Sequence, residues 1–303
     1  MASVLEDLPR GSRVAILRLR SLGDCVLTTP ALHLLKRARP DLRIAVMVED
    51  RFRAIFENNP DLEAILPAAL RPLRSWRPRL CLNLHGGSRS AWLTALSGAQ
   101  WRAGYAHFRH RFLYNARIPR AQQILGVERT VHTAEHAASA IFWLGVTLAE
   151  IPRAALFTAP SEPRASASGR APVAVIHPVA ATPAKTWRPD GFLAVAAHLK
   201  HAGIDPVFIG AASDDLSAFA AYTTLRGAPL SEIKHLLSTA SLFVGNDSGP
   251  AHMAAAFGVP VVVLFGESNP AIWGPWRTAS EVLTTEAEPA QVLDAVARLG
   301  VQA

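Results

Sequence analysis

Segment 245–252, with the sequence GNDSGPAH, combines small, hydroxyl and carboxylate residues in a pattern suited to binding a phosphate group. It follows an apolar run at 242–244 and precedes a helix whose first turn holds Pro250. Backbone N–H groups left free at the start of a helix form an anion site suited to a diphosphate. We expect Ser248 to add a hydroxyl donor, and Asp247 to contact a sugar hydroxyl or to orient the loop. The alternative is an ordinary helix capped by one of these two residues.

Two further loops carry residues that could take part in group transfer. Lys185 follows a predicted strand at 173–176 and could neutralise a leaving diphosphate, although an exposed lysine without a function is equally consistent. Asp24 follows a predicted strand at 14–17 and could act as a general base, although an aspartate at a helix start is often only a cap. All three loops lie at the carboxyl ends of predicted strands, and this shared position favours a functional role.

The elements that must position these loops can be predicted from the hydrophobic pattern. Short apolar runs alternate with helical segments, which indicates parallel sheets covered by helices. Strands are predicted at 14–17, 44–48, 80–84, 173–176, 206–209, 242–244 and 261–264, and helices at 26–37, 92–96, 133–144, 191–201, 230–239, 250–257 and 289–299, with a helical turn at 52–56. Serine, proline and glycine interrupt the pattern at 160–172, which predicts an interdomain linker. We therefore predict an α/β protein with two Rossmann-like domains, 1–160 and 161–303, facing each other across a ligand-binding cleft.

Length and composition agree with two globular domains in a reducing compartment. The chain has 303 residues, of which half are apolar, and no apolar run reaches the roughly 18 residues of a membrane span. The first ten residues do not resemble a signal peptide. Cys25 and Cys81 have no neighbouring cysteine or histidine partner, so we expect both to be buried core residues and the protein to be cytoplasmic.

The net charge of +7 is distributed unevenly along the chain. Residues 1–160 contain 22 Lys and Arg against 12 Asp and Glu, whereas residues 161–303 contain 9 against 12. This asymmetry indicates an anionic partner for the first half: a nucleic acid, an acidic glycan or a membrane surface. A solvated arginine-rich surface is the alternative.

The order of several motifs resembles that of the glycosyltransferase family 9 proteins, the ADP-heptose:lipopolysaccharide heptosyltransferases. The motifs are RSLGD at 20–24 followed by TTPAL at 28–32, HP at 177–178 with AKTW at 184–187, and NDSGPAH at 246–252. The resemblance covers nearly the whole chain and is closest in style to heptosyltransferase II-like members. It implies a GT-B fold and an inverting transfer that needs no metal ion and no cofactor. It further implies ADP-heptose as co-substrate and a lipid A core bearing Kdo or heptose as acceptor.

The resemblance also implies roles for individual residues. Asp24 corresponds to the family's general base, and Lys185 to the residue that stabilises the ADP leaving group. Asp214 corresponds to the acidic residue that holds the donor ribose, and Ala228 begins the segment whose backbone receives the adenine. The donor-binding residues implied in full are Ala181, Thr182, Asp214, Ala228, Asp247, Ser248, Gly249, Ala251 and His252.

In this family the N-terminal half faces the acceptor, which gives its positive charge a role. One arginine-rich cluster comprises Arg71, Arg74, Trp76, Arg77 and Arg79, and a second comprises Phe108, Arg109, His110, Arg111, Phe112, Tyr114 and Arg117. Arginine beside aromatic rings suits phosphates and sugar faces. We expect Arg20, Arg109, Arg111 and Arg117 to bind the acceptor, and the protein to lie peripherally at the inner face of the cytoplasmic membrane. A nucleic-acid partner is not expected, because the chain has no recognised nucleic-acid-binding motif.

Two other functions fit the same motifs. One is a GT-B enzyme that uses another nucleotide sugar for a different cell-surface glycan. The other is a non-catalytic paralogue that only binds a nucleotide sugar, although the presence of both Asp24 and Lys185 argues against it.

Overall fold

The computed structural model describes residues 4–159, 171–180 and 182–301. The chain forms two compact units, Met1–Phe157 and Thr158–Ala303, and each contains one six-stranded sheet. Most of the predicted linker at 160–172, together with Ala181, lies outside the described residues.

The first unit is built on a parallel sheet in the order β3-β2-β1-β4-β5-β6. Its strands are β1 (Arg13–Leu17), β2 (Arg43–Val48), β3 (Ala64–Pro67), β4 (Leu80–Asn83), β5 (Trp101–Tyr105) and β6 (Ala116–Ile118). Its helices are α1 (Leu22–Ala38), α2 (Leu70–Trp76), α3 (Ser88–Leu96), α4 (Ala121–Leu125) and α5 (Thr133–Leu144). Right-handed crossovers place α2 and α3 on one face of the sheet, and α1, which contacts α5, on the other.

The second unit repeats this arrangement with a parallel sheet in the order β12-β11-β10-β7-β8-β9. Its strands are β7 (Val173–His177), β8 (Asp205–Gly210), β9 (Thr223–Arg226), β10 (Leu242–Asn246), β11 (Val261–Phe265) and β12 (Ser280–Thr284). Its helices are α6 (Pro189–His201), α7 (Leu230–Ser238), α8 (Gly249–Phe257), α9 (Pro270–Trp273) and α10 (Pro289–Arg298).

The two sheets have the same strand order when each is numbered from its own first strand. In both, the chain first extends the sheet to one side of the first strand and then, from the fourth strand, to the other side. The point of reversal lies between β1 and β4 in the first unit and between β7 and β10 in the second. Parallel α/β sheets bind ligands at the carboxyl ends of the strands beside such a reversal. The three loops singled out from the sequence follow β1, β7 and β10, and therefore all lie beside one of these points.

Several predicted boundaries change in the structure. Helix α1 begins at Leu22 rather than at residue 26, because Ser21 serves as its N-cap residue and Gly23 and Asp24 form its first turn. Strands β3, β5, β6, β9 and β12 were not predicted. Cys25 and Cys81 are buried free cysteines, as expected, and burial raises the pKa of each thiol to about 12. Within the described residues, no helix is both long enough and apolar enough to cross a membrane.

Candidate active site

In the second unit, Lys185 lies in a short 3-10 turn, Pro183–Lys185, in the loop that follows β7. The carbonyl of Thr182 closes this turn by accepting hydrogen bonds from the Lys185 amide at 3.1 Å and from the Thr186 hydroxyl at 2.9 Å. The lysine side chain is half-buried. Its position is therefore set by the backbone of its own loop.

Trp187 anchors this loop to the core of the second unit. Its side chain is only 1% exposed, and its indole N–H donates to the carbonyl of Ala287 at 2.8 Å. Its backbone N–H donates to Oδ1 of Asn246, at the end of β10, at 2.9 Å. The loop after β7 and the loop after β10 are thus joined directly.

Gly266, just after β11, allows the Lys185 loop to pack closely against its backbone. A Cβ atom at this position would clash with the carbonyl oxygen of Ala184 and lie 2.9 Å from Cα of Lys185. Only a glycine fits without moving the loop. The backbone of Lys185 is therefore fixed by the ends of three strands that are neighbours in the sheet, β7, β10 and β11.

The loop after β10 brings a carboxylate next to this lysine. Asp247 is half-buried, and both the neighbouring Ser268 side chain and the positive charge of Lys185 act to lower its pKa. Burial nevertheless raises the pKa of Asp247 above its ordinary value. Its backbone N–H donates to the carbonyl of Leu264 at 2.9 Å, which fixes the loop on β11.

Helix α8 begins in the same loop and leaves backbone donors free. Ser248 is its N-cap residue, and Pro250, which has no N–H, occupies the second helical position. The first turn of a helix has no intrahelical acceptor for its N–H groups, so the amides of Gly249 and Ala251 are available to an anion. The predicted cradle of Ser248, Gly249 and Ala251 therefore is a helix N-terminus, in a loop that is hydrogen-bonded to the loop of Lys185 through Asn246 and Trp187.

The Ser248 side chain does not cap the helix, contrary to the simplest alternative. Its hydroxyl lies 3.0 Å from Nδ1 of His177, the last residue of β7. Burial lowers the pKa of His177 to about 4, so its imidazole is neutral at pH 7. A neutral imidazole can accept the hydroxyl proton of Ser248 or donate to its oxygen, and either arrangement fixes the rotamer of the serine.

The other predicted donor-binding residues lie around this region with varied exposure. Asp214, after β8, is half-buried, and its Oδ2 accepts the backbone N–H of Ala211 at 2.7 Å, so the carboxylate also shapes its own loop. Ala228 is half-buried in the loop between β9 and α7, and Thr182 is exposed. His252 is buried within α8. Ala181 lies outside the described residues.

In the first unit, the Asp24 carboxylate is held by two contacts on the first turn of α1. Its Oδ1 lies 3.5 Å from the guanidinium of the buried Arg18, and its Oδ2 accepts a hydrogen bond from the Ser21 hydroxyl at 3.1 Å. The Asp24 side chain remains 21% exposed. Asp24 is therefore not the N-cap residue anticipated as an alternative, but it takes part in a capping box with Ser21 from the third helical position, and part of its carboxylate remains exposed.

His85 and Asn83, at the end of β4, form the other side of this site. Oδ1 of Asn83 accepts the backbone N–H groups of His85 at 3.0 Å and Gly86 at 3.1 Å. The His85 ring interacts with the backbone of Arg20, in the loop that leads to Asp24. Burial and the charge of Arg18 lower the pKa of His85, while Asp24 acts in the opposite direction. His85 thus connects the loops on both sides of the strand reversal.

Two of the predicted acceptor-binding arginines lie in the loop after β5, next to the loop after β4. Phe108 packs so closely on Gly86 that a Cβ atom there would lie 2.8 Å from the ring. This contact holds the segment with Arg109 and Arg111, both exposed, at the same sheet edge as Asp24. Arg20 is exposed in the β1–α1 loop, and Arg117 is exposed on the edge strand β6.

The structure changes the membership of both arginine-rich clusters. Tyr114 is buried and accepts a hydrogen bond from Nδ2 of Asn83 at 2.8 Å, so it is a core residue and not part of a surface. Trp76 is half-buried, donates to the carbonyl of Val14 and stacks under Arg13 and Arg43 instead of its neighbours in sequence. The first cluster also divides in space, because α2 runs from the carboxyl edge of the sheet at Arg71 toward the opposite edge.

Three residues of these sites were not identified from the sequence: His85, Gly266 and Ser268. Each acts through contacts with a segment distant in sequence, and none has a local motif of its own. His177 and Asn246 belong to motifs that the sequence did show, but no role was predicted for either side chain. The one available signal for the other three was position, because each follows the carboxyl end of a strand within three residues. In the described parts of the chain, no group of three or more His, Cys, Asp or Glu side chains is placed to hold a metal ion.

These sites can be compared with those of known proteins at the level of sequence and fold. The chain is 27% identical over 291 residues to lipopolysaccharide heptosyltransferase 3 of Escherichia coli (strain K12), covering 85% of this chain and 83% of that protein. It is similar in structure to a family 9 glycosyltransferase from Veillonella parvula, with a TM-score of 0.83, 22% identity and coverage of 95% of this chain and 97% of the other. For the E. coli ADP-heptose lps heptosyltransferase II, the TM-score is 0.80, with 21% identity and coverage of 95% and 98%.

These likenesses confirm the predicted fold class, an α/β protein of GT-B type with two Rossmann-like units. Residues 69–300 match the sequence profile of glycosyltransferase family 9 (heptosyltransferase). The match covers well over half of the chain and includes the loops of Lys185 and Asp247. The chain therefore belongs to glycosyltransferase family 9 and is a glycosyltransferase.

Proposed function

We propose that this enzyme transfers heptose from ADP-heptose to the inner core of lipopolysaccharide, with inversion at the anomeric carbon and without a metal ion. The observation that carries the proposal is that the loop of Lys185 is hydrogen-bonded to the loop that begins α8, beside the strand reversal of the second sheet. A cation and free backbone amides at one sheet edge suit a nucleoside diphosphate. The similar heptosyltransferases, one of which is named for ADP-heptose, favour ADP as the nucleotide.

In the proposed reaction, Asp24 acts as the general base. It takes the proton from an acceptor hydroxyl as the oxygen of that hydroxyl attacks the anomeric carbon of the donor. The contacts with Arg18 and Ser21 orient the carboxylate and leave part of it accessible. The new glycosidic bond forms on the face opposite the departing ADP, which gives the inverted product.

Lys185 and α8 stabilise the leaving group in this proposal. As the bond between the anomeric carbon and the diphosphate breaks, negative charge develops on the phosphate oxygens. The lysine ammonium and the amides of Gly249 and Ala251 would bind this charge. Asp247, His252, Asp214 and Ala228 would contact the rest of the donor.

We assign the acceptor to the first unit and the donor to the second, as residues 1–160 and 161–303. The exposed arginines at positions 20, 109, 111 and 117 would bind the phosphorylated, anionic lipid A core with Kdo or heptose. The enzyme would then act peripherally at the inner face of the cytoplasmic membrane. This assignment rests on the charge asymmetry of the sequence and on the exposure of these side chains.

A nucleotide screen followed by a transfer assay tests the proposal. We expect ADP to bind more tightly than UDP or GDP, and incubation with ADP-heptose and truncated lipid A cores to add the mass of one heptose. Tighter binding of UDP or GDP would indicate a GT-B enzyme that uses another nucleotide sugar. Binding of ADP-heptose without ADP release in the presence of every core acceptor would indicate a non-catalytic protein.

A further inference from the structure

Residues 64–127 contain ten arginines and no aspartate, glutamate or lysine. This segment includes α2 and α3, which cover one face of the first sheet. Surfaces of soluble proteins normally mix both signs of charge, so a long segment without any acidic residue indicates an anionic partner. Some of its arginines lie in the loop after β5, near Asp24, but others do not.

Three of these arginines lie at the sheet edge opposite the proposed active site. Helix α2 runs back from the carboxyl edge, so Arg74 lies in its last turn, and Arg77 and Arg79 lie in the loop that leads into β4. The backbone of Arg79 pairs with Arg13 and Trp101, at the first residues of β1 and β5. Asp24 follows the last residues of β1, and the length of the strands therefore separates the two regions.

Two large apolar side chains lie next to these arginines. Trp92 and Leu96 are 51% and 45% exposed and lie one turn apart on the same side of α3. Nε of Arg74 donates to the carbonyl of Leu96 at 2.8 Å, which ties the arginines to the apolar pair. We call these five residues, Arg74, Arg77, Arg79, Trp92 and Leu96, the α2–α3 surface.

The arginines of the α2–α3 surface have no acidic partner in the described part of the chain. Their contacts are with neutral groups: Arg74 with the Leu96 carbonyl, and Arg79 with Oε1 of Gln100 at 3.2 Å. Arg89, by contrast, lies 3.7 Å from Glu49. Between the loops after α2 and α3 is an open recess of about 500 Å³, lined in part by Arg74, Arg77 and Arg79. The charge of these guanidinium groups is thus available to an external anion.

We propose that the α2–α3 surface docks on an anionic phospholipid bilayer. Arginines that flank an exposed tryptophan and leucine match the two layers of a membrane interface, because the guanidinium groups meet lipid phosphates while the apolar side chains enter the boundary of the acyl chains. A nucleic acid or a free phosphate would use the arginines but would leave the apolar pair in water. The chemistry of the whole surface therefore favours a lipid surface.

The proposed function supplies the reason for such docking, since its acceptor is a membrane lipid, but the surface itself lies away from the residues assigned to catalysis. Docking and turnover can therefore be measured separately. The test uses the full chain and vesicles that contain no acceptor. Vesicles of phosphatidylethanolamine with phosphatidylglycerol provide the anionic surface, and vesicles of phosphatidylcholine provide the neutral one.

We expect the wild-type protein to co-sediment with the anionic vesicles and not with the neutral ones. The double variant Arg77→Gln/Arg79→Gln should bind anionic vesicles roughly 25-fold more weakly, at about fivefold for each lost cation. The double variant Trp92→Gln/Leu96→Gln should lose roughly tenfold or more, because its apolar contribution is removed. All four side chains are exposed or in a loop, so both variants should fold normally, as circular dichroism and thermal unfolding can verify.

The chain offers a matched control on the opposite face of the same sheet. Arg37, at the end of α1, and Leu148, which is 59% exposed after α5, line a common groove there. The double variant Arg37→Gln/Leu148→Gln removes the same kinds of group and should bind anionic vesicles like the wild type. All three variants should keep wild-type turnover on an acceptor oligosaccharide whose acyl chains have been removed.

Several results would overturn the docking proposal. The first is that the wild type binds neutral and anionic vesicles equally, or binds neither. The second is that both variants of the α2–α3 surface bind anionic vesicles like the wild type. The third is that the control variant Arg37→Gln/Leu148→Gln loses as much affinity for anionic vesicles as they do. A loss of turnover on the deacylated acceptor would place this surface in the acceptor site instead. A change from dimer to monomer in the Trp92→Gln/Leu96→Gln variant would identify the partner as a second copy. If the proposed function is wrong but the docking proposal is right, the wild-type protein will bind anionic vesicles as expected but will not transfer heptose.

Discussion

The two units share one strand order, yet they hold their candidate site residues by different kinds of contact. In the first unit, Asp24 is held at the surface by a guanidinium and a hydroxyl. In the second unit, Lys185 is held through its backbone, by the buried Trp187 and by close packing on Gly266. Under the proposed function, the side chain that exchanges a proton is thus supported by polar groups, whereas the one that presents a charge is supported by its loop.

The two units also differ in their net charge. The first half carries the excess of positive charge, while the second half is slightly acidic and has Lys185 in the loop that follows β7. The strand reversal of each sheet therefore carries a different set of charged residues, because the loops and not the sheets determine which residues lie there. The predictions below test this division, beginning with the largest expected effect.

Replacing Asp24 by asparagine should cause the largest loss of activity. Loss of a general base typically costs about 10²- to 10⁴-fold, so we expect kcat to fall by about 10³-fold. Affinity for ADP should not change, because Lys185 and α8 belong to the other unit. Steady-state kinetics with ADP-heptose and calorimetric titration with ADP measure the two quantities. Ser21→Ala is the matched control, since it removes one contact of the carboxylate but keeps the carboxylate itself, and turnover of Asp24→Asn within tenfold of wild type would refute the assignment.

Replacing Lys185 by alanine should affect the second site in a different way. Removing one group that stabilises charge in a transition state costs about 10²- to 10³-fold in kcat, and we also expect ADP to bind less tightly. The control is Lys200→Ala, because Lys200 is an exposed lysine of α6 in the same unit and forms an ion pair with Asp205. Transfer kinetics and ADP titration distinguish the two variants. If Lys185→Ala weakened neither, the diphosphate would have to bind elsewhere.

Acid should destabilise the second unit through His177. Its pKa in the folded chain is about 4, below the ordinary value of 6.5, because of burial. As the pH falls below 6.5, the unfolded chain takes up the proton first, so the free energy of unfolding falls until about pH 4 and then levels off. Between pH 6.5 and 5 this amounts to about 2 kcal/mol at most.

Denaturant unfolding at several pH values measures this loss, and the variant His177→Gln should remove most of it. His136 offers the matched comparison, because burial also lowers its pKa to about 4 but it lies in the first unit, stacked on Tyr105. His136→Gln should change the acid sensitivity of the first unit only. An unchanged pH dependence in His177→Gln would show that this histidine is not neutral and buried in the folded chain.

How far the sequence predicted the fold depends on where each strand lies in its sheet. The central strands β1, β2, β4, β7, β8, β10 and β11 were predicted because their apolar runs are buried on both faces. The edge strands β3, β6, β9 and β12 are partly exposed, so their composition is mixed. Strand β5 is buried but includes Ala103 and Gly104, which are too small to give a hydrophobic signal, because the ring of Tyr114 occupies the space beside Gly104.

The candidate sites were predictable to a similar extent. Asp24, Lys185 and segment 246–252 were identified because their residue types and their position after strands are visible locally. The partners that hold them could not be identified, because the contact of Asn246 with Trp187 and that of His85 with Arg20 join segments far apart in the sequence. Trp187 was placed in a loop, and its burial follows only from the packing of α6 and α10 around it.

If the Lys185 loop binds the donor, as proposed, Gly266 has a consequence for the engineering of donor specificity. Because the Lys185 loop packs directly on this glycine, the loop and the segment after β11 form one structural unit despite their distance along the chain. A graft of the loop from a relative would carry its shape only if the recipient also kept a glycine here. Chimeras that exchange both segments together should accept a new nucleotide sugar more readily than those that exchange the loop alone.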